Sequence, residues 1–576
     1  MKAEGVGARG RVGRSEHALA GTLLVALLFL RVAHVFRYPV NSDEPQHLHV
    51  VWGWVHGLLP YRDVFDNHTP LFHLLCAPLF ATLGERPDVL LLMRLAMIPF
   101  SALALWSTYA LGRALFSHRV GLWAAVLAGL FPGFFFCSVE FRPDTLWTAL
   151  WLLALAVLIG GPLTPVRSFG AGLILGTALG VSLKTVLLLA ALGPAALATG
   201  VLAVERGAQP ALGRLGACTA LALVGLALVP LALTLFFTVH RAFAPFFYGV
   251  VEHNILPGSG LWDGRPARLL PLLATLPFLR WGARSFTTPA TNTDTAARRA
   301  VVFLAAGMYF VMLYSFLPQR HRQDWLPLYP LLFIWITATI LTLSHGLARQ
   351  SGGRLLPRAF PVVLVPTLVA VGEIAALVGG GHLWHDETHP ATDLLADVLR
   401  LTQASDLIMD LKGETVFRRR PFYYPLEGIT RERIERGLIV DTIPESLVAT
   451  ATCVAADVPH FYFLPRAATF LRQNYLPVGR LSVAGRLLTA PGSDESSNVL
   501  SFEVQIPARY VIVAEKGEAA GWLDGTLYTG ARVLAAGPHD FRPSAGGGRF
   551  AFVWAQAVER GFSPFASVDR GGAHKY

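Results

Sequence analysis

Acid is scarce in this chain: 38 Asp and Glu stand against 48 Lys and Arg in 576 residues, and charged residues make up only 15%. Cysteine is rarer still. Of the four, Cys76, Cys137 and Cys218 fall in or beside apolar runs and Cys453 stands alone in the polar C-terminal region, so neither a disulfide framework nor a metal–thiolate motif is implied. A Gly-rich phosphate loop is missing, which disfavours a nucleotide-sugar site, and there is no internal repeat. The apolar stretch after "MKAEGVGARGRVGR" lacks a small-residue cleavage site and runs to Arg37, so it reads as an uncleaved first span. The net charge of +10 would suit nucleic acid if it were clustered. Instead the cations sit in short links between apolar runs, where they mark membrane topology, and no nucleic-acid partner is expected.

What the chain does have is apolar residue, 53% of it, in runs of about twenty. The fold class is therefore a polytopic α-helical membrane protein. Spans are expected near 17–37, 89–111, 119–138, 145–160, 168–183, 185–203, 214–239, 266–281, 299–317, 325–345 and 359–380, about eleven in all. The run 71–83 is only thirteen residues long and is excluded as interfacial or re-entrant. With that exclusion Arg113, Arg119, Arg167, Arg206, Arg214, Arg284, Arg298, Arg299, Arg349, Arg354 and Arg358 fall on the side of the basic N-terminus, and Asp43, Glu44, Asp63, Asp66, Glu140 and Asp144 on the other.

An odd span count places everything after about residue 381 outside the cytoplasm. The expected division is a membrane domain over 1–380 with an outer loop at 38–70, an α/β domain over 381–495, and a β-sandwich-like domain over 496–576, where Phe502, Val504 and Ile506 alternate.

Charges beside spans need a reason, and three clusters meet on the outer side. The first is the loop holding "VNSDEPQHLH", with Asp43 and Glu44 adjacent. The second is "VEFRPDTLW", with Glu140, Arg142 and Asp144 in a short turn. The third is a set of cations at span ends: Lys184, Arg241, Arg320 and Arg322, with His321. Carboxylates beside membrane-level Arg and Lys suit transfer of a group from a phosphorylated lipid. A carboxylate takes the proton of the attacking hydroxyl while a cation neutralises the departing phosphate. The bland alternative for Asp43 is helix capping ahead of Pro45, and for each Arg, pairing and snorkelling.

The stretch "NSDEPQHLHVVWGWVHGLLPYRDVFDNHTPLFHLL" resembles the first outer loop of the C-type glycosyltransferases that use polyprenyl-phosphate sugars, a group that includes bacterial aminoarabinose transferases and protein O-mannosyltransferases. "EFRPDTLWTALWLLAL" and "RHRQDWLPLYPLL" resemble later motifs of that group, in the same order, so the likeness covers roughly residues 17–345. It departs where Asn67, His68 and Thr69 precede Pro70 in place of the Glu-Lys pair of the aminoarabinose branch, leaving His68 or Lys184 to substitute for that lysine, and where Asp324 replaces the tyrosine of the late motif.

The resemblance implies a multi-pass protein of the bacterial inner membrane with a periplasmic C-terminal region. It implies inverting transfer of a sugar from a polyprenyl-phosphate donor to a glycan, lipid or protein acceptor. Asp43 would be the general base and Glu44 its helper, with Glu140, Arg142 and Asp144 lining the pocket and His68, Lys184, Arg241, Arg320 and Arg322 facing the donor. No cofactor is required by the sequence; a divalent metal ion, if used, would bridge donor phosphate and the outer carboxylates, although no ligand spacing demands one. The rivals are a transporter with a periplasmic sensing domain, which calls for charged or broken segments near mid-membrane, and an inert assembly protein whose tail binds polysaccharide.

Overall fold

The computed structural model describes residues 12–205, 212–256, 293–317, 320–350, 360–457, 462–489, 499–544 and 548–566. Two compact units emerge: one of residues 1–39, 67–76 and 91–386, the other of 40–66, 77–90 and 387–576. The outer loop expected to belong with the membrane domain thus groups, from residue 40 to 66, with the C-terminal region.

The first unit is helical. Helices Arg14–Val35, Met97–Leu115, His118–Leu130, Pro143–Ile159, Pro165–Val181, Thr185–Glu205, Leu212–Val239, Thr293–Phe316, Tyr329–Gln350 and Phe360–Gly379 each overlap an expected span, although 89–111 is split between Val89–Leu95 and Met97–Leu115 and 119–138 is broken ahead of Pro132–Cys137. The expected span 266–281 lies outside the described residues. Among the described residues, five helices are long and apolar enough to cross a membrane by length and composition: Arg14–Val35, Val89–Leu115, Gly213–Val239, Thr295–Tyr314 and Val362–Gly379. On Leu212–Val239 the large side chains Leu223, Leu228, Leu231 and Leu235 are exposed, the surface a helix presents to lipid rather than water.

Small residues set one close helix pair. A Cβ at Gly172 would lie 2.0 Å from the carbonyl oxygen of Ala222, one at Gly176 2.4 Å from that of Leu226, and one at Gly225 2.4 Å from that of Phe169. Pro165–Val181 and Leu212–Val239 therefore meet backbone to backbone through a Gly-x-x-x-Gly step.

In the second unit the strands are β1 (Ile408–Met409), β2 (Val454–Ala456), β3 (Tyr475–Val478), β4 (Leu481–Thr489), β5 (Leu500–Val504), β6 (Ala508–Ala514), β7 (Gly521–Leu523), β8 (Thr526–Leu527), β9 (Arg532–Leu534), β10 (Gly537–Pro543) and β11 (Arg549–Trp554). One sheet runs β1-β2-β4-β11-β6-β9 with β3 beside β4, and the other β5-β10-β7-β8. The β1–β2 pair is parallel and the other pairs are antiparallel.

The alternation read at Phe502 and Val504 is real: both are buried, while Ser501 and Glu503, the residue before each, are exposed. Phe502 stacks on Phe552 with ring centroids 4.4 Å apart, joining the two sheets in one core. Because β4 and β11 pair directly, with Leu488 opposite Phe550, the sheet runs through the boundary expected at 495/496, and strands from both sides share that core.

Candidate active site

In the first unit the charges converge through local backbone rules. Arg142 precedes Pro143, whose ring excludes the helical conformation at the residue before it, so Arg142 is extended (φ −143°, ψ 155°) and the helix Pro143–Ile159 starts abruptly. Asp144 therefore falls in the first helical turn beside the Arg142 guanidinium, with Nε 3.2 Å from Oδ2. Lys184 sits in the break between Pro165–Val181 and Thr185–Glu205, and its Nζ lies 3.0 Å from Oδ1 of Asp144 and 2.6 Å from Oδ1 of Asp324. Asp324 is placed by a 3-10 turn, Arg322–Trp325, which it caps by accepting from the His321 N–H at 2.8 Å. One residue earlier, Gln323 donates to Glu140 at 2.8 Å. Arg322, on the same turn, lies near enough to Tyr38 and Glu140 to act electrostatically on both.

Arg142, Asp144, Glu140 and Asp324 are all buried. Taking such groups from water costs several kcal/mol each before pairing repays it, so the cluster is weak evidence for stability and better evidence for chemistry. His68 is half-buried and acts electrostatically on Asp144. Arg320 lies over the Tyr314 ring at 4.5 Å, outside this network, and exposed Arg241 forms no ion pair among the described residues.

Asp43 and Glu44 open a helix of the second unit, Asp43–Val55, and the capping alternative can be examined there directly. The N-cap Ser42 makes no side-chain capping bond, and it is Glu44 whose Oε1 reaches back to accept from the Asn41 N–H at 2.9 Å. The Asp43 carboxylate meets Lys412, with Nζ 2.9 Å from Oδ1, and the same ammonium donates to Ser42 Oγ at 3.1 Å.

Lys412 is delivered by a tight loop. Asp410 accepts from the N–H groups of Gly413 and Thr415 at 3.0 Å each, and Gly413 adopts φ +108° with the His49 Cβ only 3.0 Å from where a Cβ would stand. His49 is buried and bonds the Val416 carbonyl at 2.7 Å. Trp52 donates to Glu85 at 2.8 Å, Glu85 pairs with Arg418 at 3.2 Å, and the Tyr423 hydroxyl donates to the Tyr61 carbonyl.

Sequence reasoning missed Lys412, Gln323 and Tyr38 and noted Asp324 only as a departure from a motif. Lys412 lies 369 positions from Asp43, and no local pattern links them. Among the described residues no group of three or more His, Cys, Asp or Glu is arranged to hold a metal ion.

Apolar helices carrying a buried charge network, together with a C-terminal sheet region, give the chain a helical, membrane-compatible fold like that of the C-type glycosyltransferases. Residues 67–233 match the family dolichyl-phosphate-mannose-protein mannosyltransferase, a stretch holding His68, Glu140, Arg142, Asp144 and Lys184. The structure is similar to that of ArnT from Cupriavidus metallidurans in the apo state, with TM-score 0.50 and 16% identity over 82% of this chain and 98% of that one. It is equally similar to ArnT bound to undecaprenyl phosphate, with TM-score 0.50 and 15% identity over 81% and 98% of the two chains. No curated protein matches the chain in sequence.

Proposed function

We propose that the chain is an integral membrane glycosyltransferase that moves a sugar from a polyprenyl-phosphate donor to a glycan, lipid or protein acceptor on the outer face of the bacterial inner membrane. Asp43 takes the proton of the acceptor hydroxyl as its oxygen bonds to the anomeric carbon from the face opposite the phosphate. The bond from that carbon to the phosphate oxygen breaks, and the electron pair leaves with the polyprenyl phosphate; a single displacement inverts the centre. Lys184 and Arg322 neutralise the departing phosphate, with His68 beside them, and Glu140, Arg142 and Asp144 line the donor pocket. Glu44 fixes the start of the helix that carries the base. Arg241 and Arg320 add only long-range attraction for the anionic donor.

The observation that carries the reading is the side-chain division within the acidic pair. Glu44 does the work at the helix start, while the Asp43 carboxylate is held by Lys412 at 2.9 Å. Likeness of the fold to a protein solved with undecaprenyl phosphate supports the donor class.

The test is Asp43→Asn. Asn keeps the size of Asp and an oxygen that can accept from Lys412, but it has no carboxylate to take a proton. The variant is expected to insert and fold, with transfer from a polyprenyl-phosphate sugar slower by about two orders of magnitude or more. Wild-type transfer in Asp43→Asn rejects Asp43 as the base, and Glu44→Gln beside it shows whether its neighbour has that role.

A further inference from the structure

The run "FRRRPFYY" has no role in the transfer chemistry, yet it borders a cleft of about 230 Å³ lying wholly within the second unit. Its walls include Arg62, Asp63, Phe65, Arg419, Arg420 and Tyr423.

Arg420 has an incomplete set of partners. Its side chain is only 5% exposed, yet its nearest carboxylate oxygen, Oδ1 of Asp410, is 3.9 Å away. Its contacts to the carbonyls of Leu411 and Tyr423 are 3.4 and 3.5 Å, longer than the roughly 2.7–3.2 Å of a good N–H···O bond. Asp410 is committed elsewhere, accepting from the Gly413 and Thr415 N–H groups and, at 2.7 Å, from the Thr415 hydroxyl. A buried guanidinium with only long contacts is costly unless an anion completes it. Arg419 is exposed and forms no ion pair among the described residues. Arg62 grips Asp63 through two bonds of 3.0 and 2.8 Å, so that wall neutralises itself.

The cleft wall carries three guanidinium groups against the Asp63 carboxylate, with Asp410 3.9 Å from Arg420 behind it, so a positive excess is left for an anion to meet. A phosphomonoester, with roughly 1.5 to 2 negative charges at neutral pH and three acceptor oxygens, can engage Arg419 and Arg420 together. Guanidinium forks also match phosphate oxygens in geometry. Phe65 and Tyr423, edge to face at 5.4 Å, offer apolar walls for a ring beside the phosphate. The volume is below the ~300–1,000 Å³ of sites for drug-sized ligands, so it admits a headgroup rather than an extended glycan.

We propose that this cleft is a binding site for the phosphomonoester of a phosphorylated sugar, with Arg419 and Arg420 as its anion-holding residues. Its residues are not those assigned to the donor phosphate, Lys184 and Arg322, and it is read out by binding alone, whatever the outcome for transfer.

The experiment is calorimetric titration of the full chain in phosphatidylcholine nanodiscs with glucose 1-phosphate, inorganic phosphate and glucose. Glucose 1-phosphate is expected to bind and glucose not to bind. Arg419→Gln, at an exposed position that leaves folding intact, should weaken glucose 1-phosphate at least tenfold, and Arg419→Lys should weaken it less. Absence of binding by both phosphate probes overturns the proposal. So does unchanged affinity in Arg419→Gln combined with loss in Lys184→Ala, which would place the phosphate at the donor site. A repeat in discs containing phosphatidic acid separates the sources: competition with glucose 1-phosphate identifies a lipid-borne phosphate, and its absence a soluble one, either outcome upholding the site.

Discussion

Glu414 shows how burial at one residue sets the pH response of the loop that carries Lys412. Its Oε2 accepts from the N–H groups of Leu411 and Lys412 at 3.0 and 2.8 Å. Burial, reinforced by the charge of Asp410, pushes its carboxyl up to about 7 from an ordinary 4.5, and Lys412 only partly opposes this. Between those values the folded chain keeps a proton that the unfolded chain releases, so this contribution to stability falls as pH rises through the window. Burial, with Arg420 nearby, holds His49 down at about 4 from an ordinary 6.5, despite Asp410, so its contribution is lost in the other direction, as pH falls from 6.5 to 4. Glu414→Gln keeps the accepting oxygen and removes the ionisation. Thermal unfolding of the full chain should show the variant gaining on the wild type by up to about a few kcal/mol between pH 5 and 8, because each tenfold change in proton affinity between folded and unfolded chain is worth ~1.4 kcal/mol. A constant gap across that range would remove Glu414 as the titrating group.

At the scale of the element, the pair Pro165–Val181 and Leu212–Val239 depends on the absence of side chains. In lipid there is little hydrophobic drive between helices, so close packing must supply the association. The near-contact distances at Gly172 and Gly225 leave no room for a Cβ without moving backbone. Gly172→Leu should therefore separate the pair and lower the detergent melting temperature sharply, while Gly170→Leu, on the same helix with nothing within 4 Å of its Cβ position, should leave it near wild type. Equal melting temperatures for the two variants would mean that this contact does not organise the first unit.

For the whole molecule the question is which side of the membrane holds each part. From the Arg-rich links and an odd span count, the expectation is that Arg349 faces the cytoplasm and the chain after residue 390 the exterior. A reporter that works only outside the cytoplasm should be active when fused after residue 390 and silent when fused near Arg349. Activity of the reverse pattern would put Asp43 on the cytoplasmic side and end its assignment as a base for a polyprenyl-linked donor on the outer face.

The sequence alone determined a helical, membrane-compatible class and the approximate positions of the ten long apolar helices described in the first unit, because runs of about twenty apolar residues have few other fates. It also determined that Asp43 and Glu44, and the trio Glu140, Arg142 and Asp144, stand at the ends of helices, since helix boundaries follow from Pro, Gly and polarity within a few residues. The alternation at Phe502 and Val504 was legible for the same local reason. Tertiary structure decided the rest. Which carboxylate meets Lys412 and which bonds its own backbone, that Asp324 and Asp144 share one ammonium, and that β4 pairs with β11 across the expected 495/496 boundary are contacts between residues far apart in the chain. Side-chain type and local spacing constrain only the few residues on either side. An ion pair between positions 43 and 412 is fixed by how the intervening chain closes, and that closure is a property of the packed molecule.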